Sequence, residues 1–200
     1  MKPLIQLVLV ITASLLLSCT KNDESTIVLI GTEKYIPEIS SIIPSQLIQN
    51  VGTIYRGTYP PDIEGEYLAS PYILTKSTVS YDIVGEVRDD RFIKFDHQHN
   101  GICTYDSKQS TEIAHCDTVY IMGDGSNFTV YFLENRTDAT NNTKSKTAVV
   151  MTGQVSGSGI SNFKYGWMLL ETNDPNTVPV NSIRVFTDKD NLASRSNWYN

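Results

Sequence analysis

Three histidines and two cysteines fall between positions 97 and 116 of this 200-residue chain. Their spacing raises the first chemical question. Asn100-Gly101 is a strong signal for a two-residue hairpin turn. Such a turn sets His99 opposite Ile102, His97 opposite Thr104 and Phe95 opposite Asp106. A second turn centred between Gln109 and Ser110 sets Ser107 opposite Glu112, Tyr105 opposite Ala114 and Cys103 opposite Cys116. Directly opposed residues have Cβ atoms close enough to bridge with slight adjustment, so a Cys103–Cys116 disulfide is expected. A closed loop of that length stabilises by about 3 kcal/mol on the chain-entropy model. The alternative is two free thiols.

The same register places Phe95, His97, His99, Thr104, Asp106, His115 and Asp117 on one face of the sheet, because alternate residues share a face. Imidazoles at 97 and 99, joined by His115, have the ligand types that hold zinc or another divalent ion. His115 lies two strands from His97, roughly 10 Å between backbones, so a metal site requires a sheet curled toward it. A polar outer face with histidines in solvent is the reading the spacing favours.

A third candidate is the alternating run Phe163, Tyr165, Trp167 and Leu169. These residues either fill a core or line a cavity that takes a ligand. Trp198 and Tyr199 are further aromatic candidates for capping the domain or stacking on a sugar. Asp188-Lys189-Asp190-Asn191 begins like a calcium loop but lacks the later Gly and Glu, and reads as an acidic turn. The glycines at 123, 125, 157 and 159 sit in turns without the strand-to-helix setting or Lys of a phosphate loop. With no Gly-x-Ser-x-Gly elbow, and no free thiol if 103 and 116 are bridged, the chain reads as a non-enzyme.

The elements that must carry these residues are strands. Tyr is plentiful at 11, and Thr, Val and Ile are frequent, which suits pleated, half-buried surfaces. Strands are expected at 66–76, 90–99, 102–107, 111–122, 127–135, 146–155, 160–171 and 181–188. Tight turns between them, without long crossovers, imply an antiparallel sheet. Ile43, Leu47 and Val51, with Pro44 suited to the first helical position and Gly52 to stop it, spell one short helix. The expected fold is an all-β, up-and-down barrel with that helix near its N-terminus, with a Greek-key sandwich as the alternative. The net charge of −6, without a basic stripe, argues against a nucleic-acid partner.

The N-terminus reads as a secretory signal: Lys2, an apolar run over 4–17 too short for a span of about 20 residues, and small residues at its end. Leu16-Leu17-Ser18-Cys19 resembles the lipobox of bacterial lipoproteins. That resemblance implies cleavage after residue 18, lipid on Cys19 and anchorage in the outer membrane, since two or more acyl chains hold a protein stably. An oxidising compartment is also where disulfides persist. Lys21-Asn22-Asp23-Glu24 is similar to the export signal of surface lipoproteins of Bacteroidota. The division expected is a signal over 1–18, a lipidated tether over 19–36 with a possible edge strand at 27–30, and a single barrel domain over 37–200.

The run Pro60-Pro61-Asp62-Ile63-Glu64-Gly65-Glu66-Tyr67, the turn Gly123-Asp124-Gly125-Ser126-Asn127-Phe128 and the ending Ile183-Arg184-Val185-Phe186-Thr187-Asp188 resemble lipocalin-like lipoproteins of Bacteroidota. Gly65-Glu66-Tyr67 looks like the lipocalin Gly-x-Trp opening with Tyr for Trp. Asp117-Thr118-Val119 resembles an O-glycosylation site of the same group. The resemblance implies a lipid-anchored barrel and bears on the fold more than on a function; the leading functional expectation is a barrel that binds a small apolar or glycan ligand, without a cofactor. The alternative function is a structural or protein-interaction module of a surface complex with no small ligand.

Overall fold

The computed structural model describes residue 39 and residues 41–197. The signal, Cys19, the tether with its 27–30 segment, and Trp198 and Tyr199 lie outside the described residues. Eleven strands form one antiparallel sheet. In chain order they are β1 (Gly65–Ala69), β2 (Tyr72–Ser77), β3 (Val87–Arg88), β4 (Arg91–His99), β5 (Ile102–Gln109) and β6 (Glu112–Asp124). They continue with β7 (Asn127–Asp138), β8 (Lys144–Ser156), β9 (Gly159–Thr172), β10 (Ile183–Asp188) and β11 (Leu192–Arg195).

Strands β4 to β9 each pair with the next in sequence, as short turns require. β1 pairs with β4 on one side and β11 on the other, and β11 also pairs with β9. That last pairing closes an eight-stranded ring and removes its edges. β9 is shared: Gly159–Ser161 faces β11, while the Lys164–Met168 stretch faces β10, which carries β2 and β3 outward. The expected strand over 66–76 is therefore two strands broken at Ser70-Pro71, and β3 and β11 were not anticipated. Asp188 joins the two breaks by accepting hydrogen bonds from Ser70 N at 2.7 Å and Asp190 N at 3.0 Å.

Among the described residues, Tyr67, Phe95, Tyr105, Phe132, Phe163 and Tyr165 pack the interior of the ring, each at 1 % exposure or less. Aromatic rings meet edge-on or tilted across the interior, as with Tyr105 and Phe132 at 4.5 Å. Outside the ring, helix α1 (Ser45–Val51) lays Leu47 and Val51 on Met122, Tyr131, Val150 and Met168. Gly52 ends the helix at φ 84°, as expected, whereas Pro44 is the extended N-cap at ψ 135° and not the first helical residue.

The hairpin register differs from the expected one. The turn at Asn100-Gly101 is as expected, with His99 opposite Ile102. The next turn is Ser110-Thr111, so Gln109 faces Glu112 and the strand slips by two residues. Ser110 takes up the turn at φ 51°. A bulge between Cys103 and Tyr105 moves the pairing further: Cys103 faces Val119, and Cys116 faces Tyr105. Cys103 and Cys116 are free, not bridged. Cys103 is buried, and burial pushes its thiol well up; burial also pushes Cys116 up to about 11.

Gly166 is where the helix seats. A Cβ there would collide with Val51 Cγ2 and come within 3.3 Å of Leu47 Cδ1. Gly166→Ala is expected to destabilise the fold by about 1–3 kcal/mol through overpacking, read as a lower urea midpoint. An unchanged midpoint would mean that α1 does not rest on β9.

Candidate functional site

Alternation along the strands brings an unusual set of side chains inside. On β7, Phe128, Val130 and Phe132 point into the ring, and the same period of two carries Glu134 and Arg136 inward after them. On β4, Arg91 shares the inner face of Ile93 and Phe95; on β9, Tyr165 and Trp167 follow Phe163. The result is a charged floor at one end of an otherwise aromatic interior.

Glu134 is the hub, with no exposed surface. Its Oε1 accepts from Arg91 Nη2 at 2.7 Å and Ser107 Oγ at 3.3 Å. Its Oε2 accepts from Arg136 Nε, from Tyr165 OH at 2.9 Å and from Thr147 Oγ1 at 3.2 Å. Arg91 also reaches Tyr105 OH, Ser107 Oγ and Gln109 Oε1 at 2.9 to 3.1 Å, and its guanidinium lies 4.4 Å from the Tyr165 ring centre. Arg136 Nη2 donates to Tyr165 OH at 2.8 Å.

Burial alone would raise the Glu134 pKa, but Arg136 and Arg91 more than offset it and hold the carboxyl at about 2. Burial raises Tyr105 to about 12 and Tyr165 further, so both phenols stay protonated. The arginines stay charged, since Glu134 and the surrounding phenol oxygens outweigh their desolvation.

Above this floor is a cavity of about 270 Å³ lined by Arg88, Gln109, Arg136, Trp167, Arg184 and Phe186. Asp89, Glu112 and Asp138 stand on the same rim. Trp167 lies between Arg136 and Arg184, whose guanidinium carbons are 5.1 and 5.5 Å from its ring centre. Arg184 is fixed by two hydrogen bonds to Asp82 at 2.6 and 2.7 Å, and Arg88 pairs with Glu86 at 2.8 Å.

The residues singled out from sequence divide between these regions. Trp167 lines the cavity, Tyr165 belongs to the charged floor, and Phe163 is packed into the closed core. The histidines are exposed, in line with the favoured reading of a polar outer face, and do not converge as the alternative metal site required. His97 sits at a bulge with φ 54°, and Phe95, placed with it from sequence, points inward. His97 Nδ1 is 3.5 Å from Thr104 Oγ1, and His99 Nδ1 is 2.8 Å from the His97 carbonyl. His115 is held by Asp106 at 2.7 Å and Asp117 at 2.9 Å, and hydrogen bonding to the two carboxylates raises its pKa. Among the described residues no group of three or more His, Cys, Asp or Glu is placed to hold a metal ion.

Arg91, Glu134, Arg136 and Tyr72 were not anticipated. The signal was present: a period of two, continued from Phe132 or back from Ile93, lands on charged residues. Comparison with protein-family models, curated proteins and solved structures returns no match.

Glu134→Gln leaves two buried guanidinium groups without their counter-charge. The loss expected is about 3–5 kcal/mol of folding stability, measured by urea denaturation at neutral pH. A loss below about 1 kcal/mol would show that the network relaxes around the change.

Proposed function

We propose that the chain is a lipid-anchored binding protein of the bacterial outer membrane, displayed at the cell surface, which takes a small glycan at the rim of its barrel. The observation that carries the reading is Trp167 in a polar cavity beside an interior that is already full. Sugar sites need hydrogen-bonding groups that fix orientation, and the rim supplies them beside Trp167, which is 7 % exposed. Arg88, Gln109 and Arg184 supply donors, while Asp89, Glu112 and Asp138 supply acceptors for sugar hydroxyls. The filled ring favours a polar ligand at the rim over an apolar one in the lumen. Anchorage rests on the lipobox resemblance around Cys19.

A second reading, a protein-interaction module, is favoured by one feature. Tyr81, Ile83 and Val84, on the loop before β3, and Val87, on β3 next to Arg88, are between 56 and 68 % exposed. Exposed apolar groups of that kind mark surfaces that meet partners.

Two measurements test the first reading. Palmitate label should enter the wild-type chain in its bacterial host and be absent from Cys19→Ser; label retained by the variant would remove the anchor. On a glycan array the intact protein should retain a subset of sugars, and Trp167→Ala should weaken that signal by roughly tenfold or more, as loss of an aromatic anchor does. A blank array would leave the interaction module as the better account.

A further inference from the structure

The branch of the sheet that leaves the ring ends on an open edge. β3 is its last strand, and among the described residues no strand lies on its outer side. An open edge is a template for pairing with another chain, which proteins usually blunt with charge, bulges or a covering segment. Here the edge adjoins exposed apolar groups instead. Val87 is 56 % exposed, and Tyr81, Ile83 and Val84 on the loop before it are between 61 and 68 % exposed. Tyr81 also lines a surface cavity of about 330 Å³ with Pro179 and Val180.

This surface is held in shape from within the chain. Arg184 clamps Asp82 of the loop at 2.6 and 2.7 Å. Gly85 N donates to Leu74 O at 2.7 Å, and Glu86 O accepts from Leu74 N at 3.0 Å. The Glu86 carbonyl therefore points to β2, and Arg88 is paired there with Tyr72. Alternation along an antiparallel strand then turns the N–H and C=O of Val87 outward, toward the open side.

The charges beside Val87 select what can pair with it. A second copy added antiparallel about a two-fold axis must meet the outward groups of Val87 with outward groups of its own, so the axis passes through residue 86, 87 or 88. An axis through residue 86 sets Glu86 against Glu86 of the second copy. An axis through residue 88 sets Arg88 against Arg88. Like charges directly opposed are destabilising. An axis through Val87 sets Glu86 opposite Arg88 twice, once on each side, in the pairs whose side chains approach closest. Glu86 and Arg88 already lie 2.8 Å apart within one chain, so the pairing creates four charges alternating in sign on one face. The two Val87 residues then exchange backbone hydrogen bonds, with their side chains together on the other face.

We propose that β3 is a self-association edge, at which a second copy of this chain adds its own β3 antiparallel with Val87 on the two-fold axis. A two-fold contact needs one surface that complements itself, and Glu86-Val87-Arg88 does so in a single register. The proposal supplies a partner for the exposed loop of the interaction reading and rests on that loop being a contact surface. It is independent of the glycan site.

The test is the oligomeric state of the full chain in detergent, by sedimentation equilibrium over a concentration series, with cross-linking to locate the contact. A monomer–dimer equilibrium is expected. Glu86→Arg sets like charges against Arg88 at both pairs and is expected to weaken the dimer roughly tenfold, while adding Arg88→Glu to it restores association. Residues opposed across such a pair have Cα atoms about 5.5 Å apart, within disulfide range, so Val87→Cys is expected to give a covalent dimer on mild oxidation. Wild type and Ile113→Cys, an exposed site on β6, should not. A monomer at every concentration overturns the proposal and leaves the exposed loop to a different protein. A dimer that Glu86→Arg does not weaken, or that Val87→Cys does not trap, overturns this edge as its interface.

Discussion

An ionised carboxylate with no exposed surface is held between two guanidinium groups inside this barrel, and the organisation of that end follows from it. Buried ion pairs seldom stabilise a fold by themselves, because desolvation cancels much of the attraction. Glu134 is tolerated because every neighbour supports it: Ser107, Thr147 and Tyr165 join Arg91 and Arg136 in donating to its oxygens. These donors come from β4, β5, β7, β8 and β9. Five strands are thereby tied at one level of the ring, where apolar packing gives way to polar groups.

Closure of the ring makes this arrangement possible. β9 pairs with β8 throughout and divides its other edge between β10 and β11. One half of the strand completes the ring, and the other half supports the β10–β2–β3 extension that brings Arg184, Phe186 and Arg88 to the rim. Asp82, between Ser77 and Arg184, fixes the β2–β3 loop beside Trp167. On the outer side Gly166 leaves space for α1, so the strand that presents Trp167 inward is packed on both faces. A cavity built on such a strand is held in shape before a ligand arrives, which lowers the entropy cost of binding.

Much of the framework was legible in the sequence. Alternation identified the meander from β4 to β9, Asn100-Gly101 located its first turn, and Pro44 and Gly52 bracketed the helix. What failed was register. The turn at Ser110-Thr111 has no glycine or asparagine to mark it, and the bulges at Asp96–His99 and Cys103–Tyr105 leave no trace in composition. A one- or two-residue slip is enough to separate opposed cysteines and to turn Phe95 away from the histidines. Trp167 was singled out by its alternation, although which face was interior could not be read from two nearly apolar faces. Arg91, Glu134 and Arg136 escaped notice because charged residues are ordinarily assigned to the solvent side, and here they pair with one another inside.

The organisation of this end of the barrel depends on Glu134 being charged between Arg91 and Arg136. Since the folded pKa of Glu134 lies below its unfolded value, its contribution to stability is present above pH 4.5 and is lost as pH falls toward about 2. Carbon-13 NMR of the glutamate side-chain carboxyls, with Glu134 assigned by substitution, reads that ionisation directly. The account predicts that the Glu134 carboxyl keeps its ionised shift down to about pH 2, or until the protein unfolds. A midpoint near 4.5 in the folded protein would mean that the arginines do not hold it, and would contradict the account.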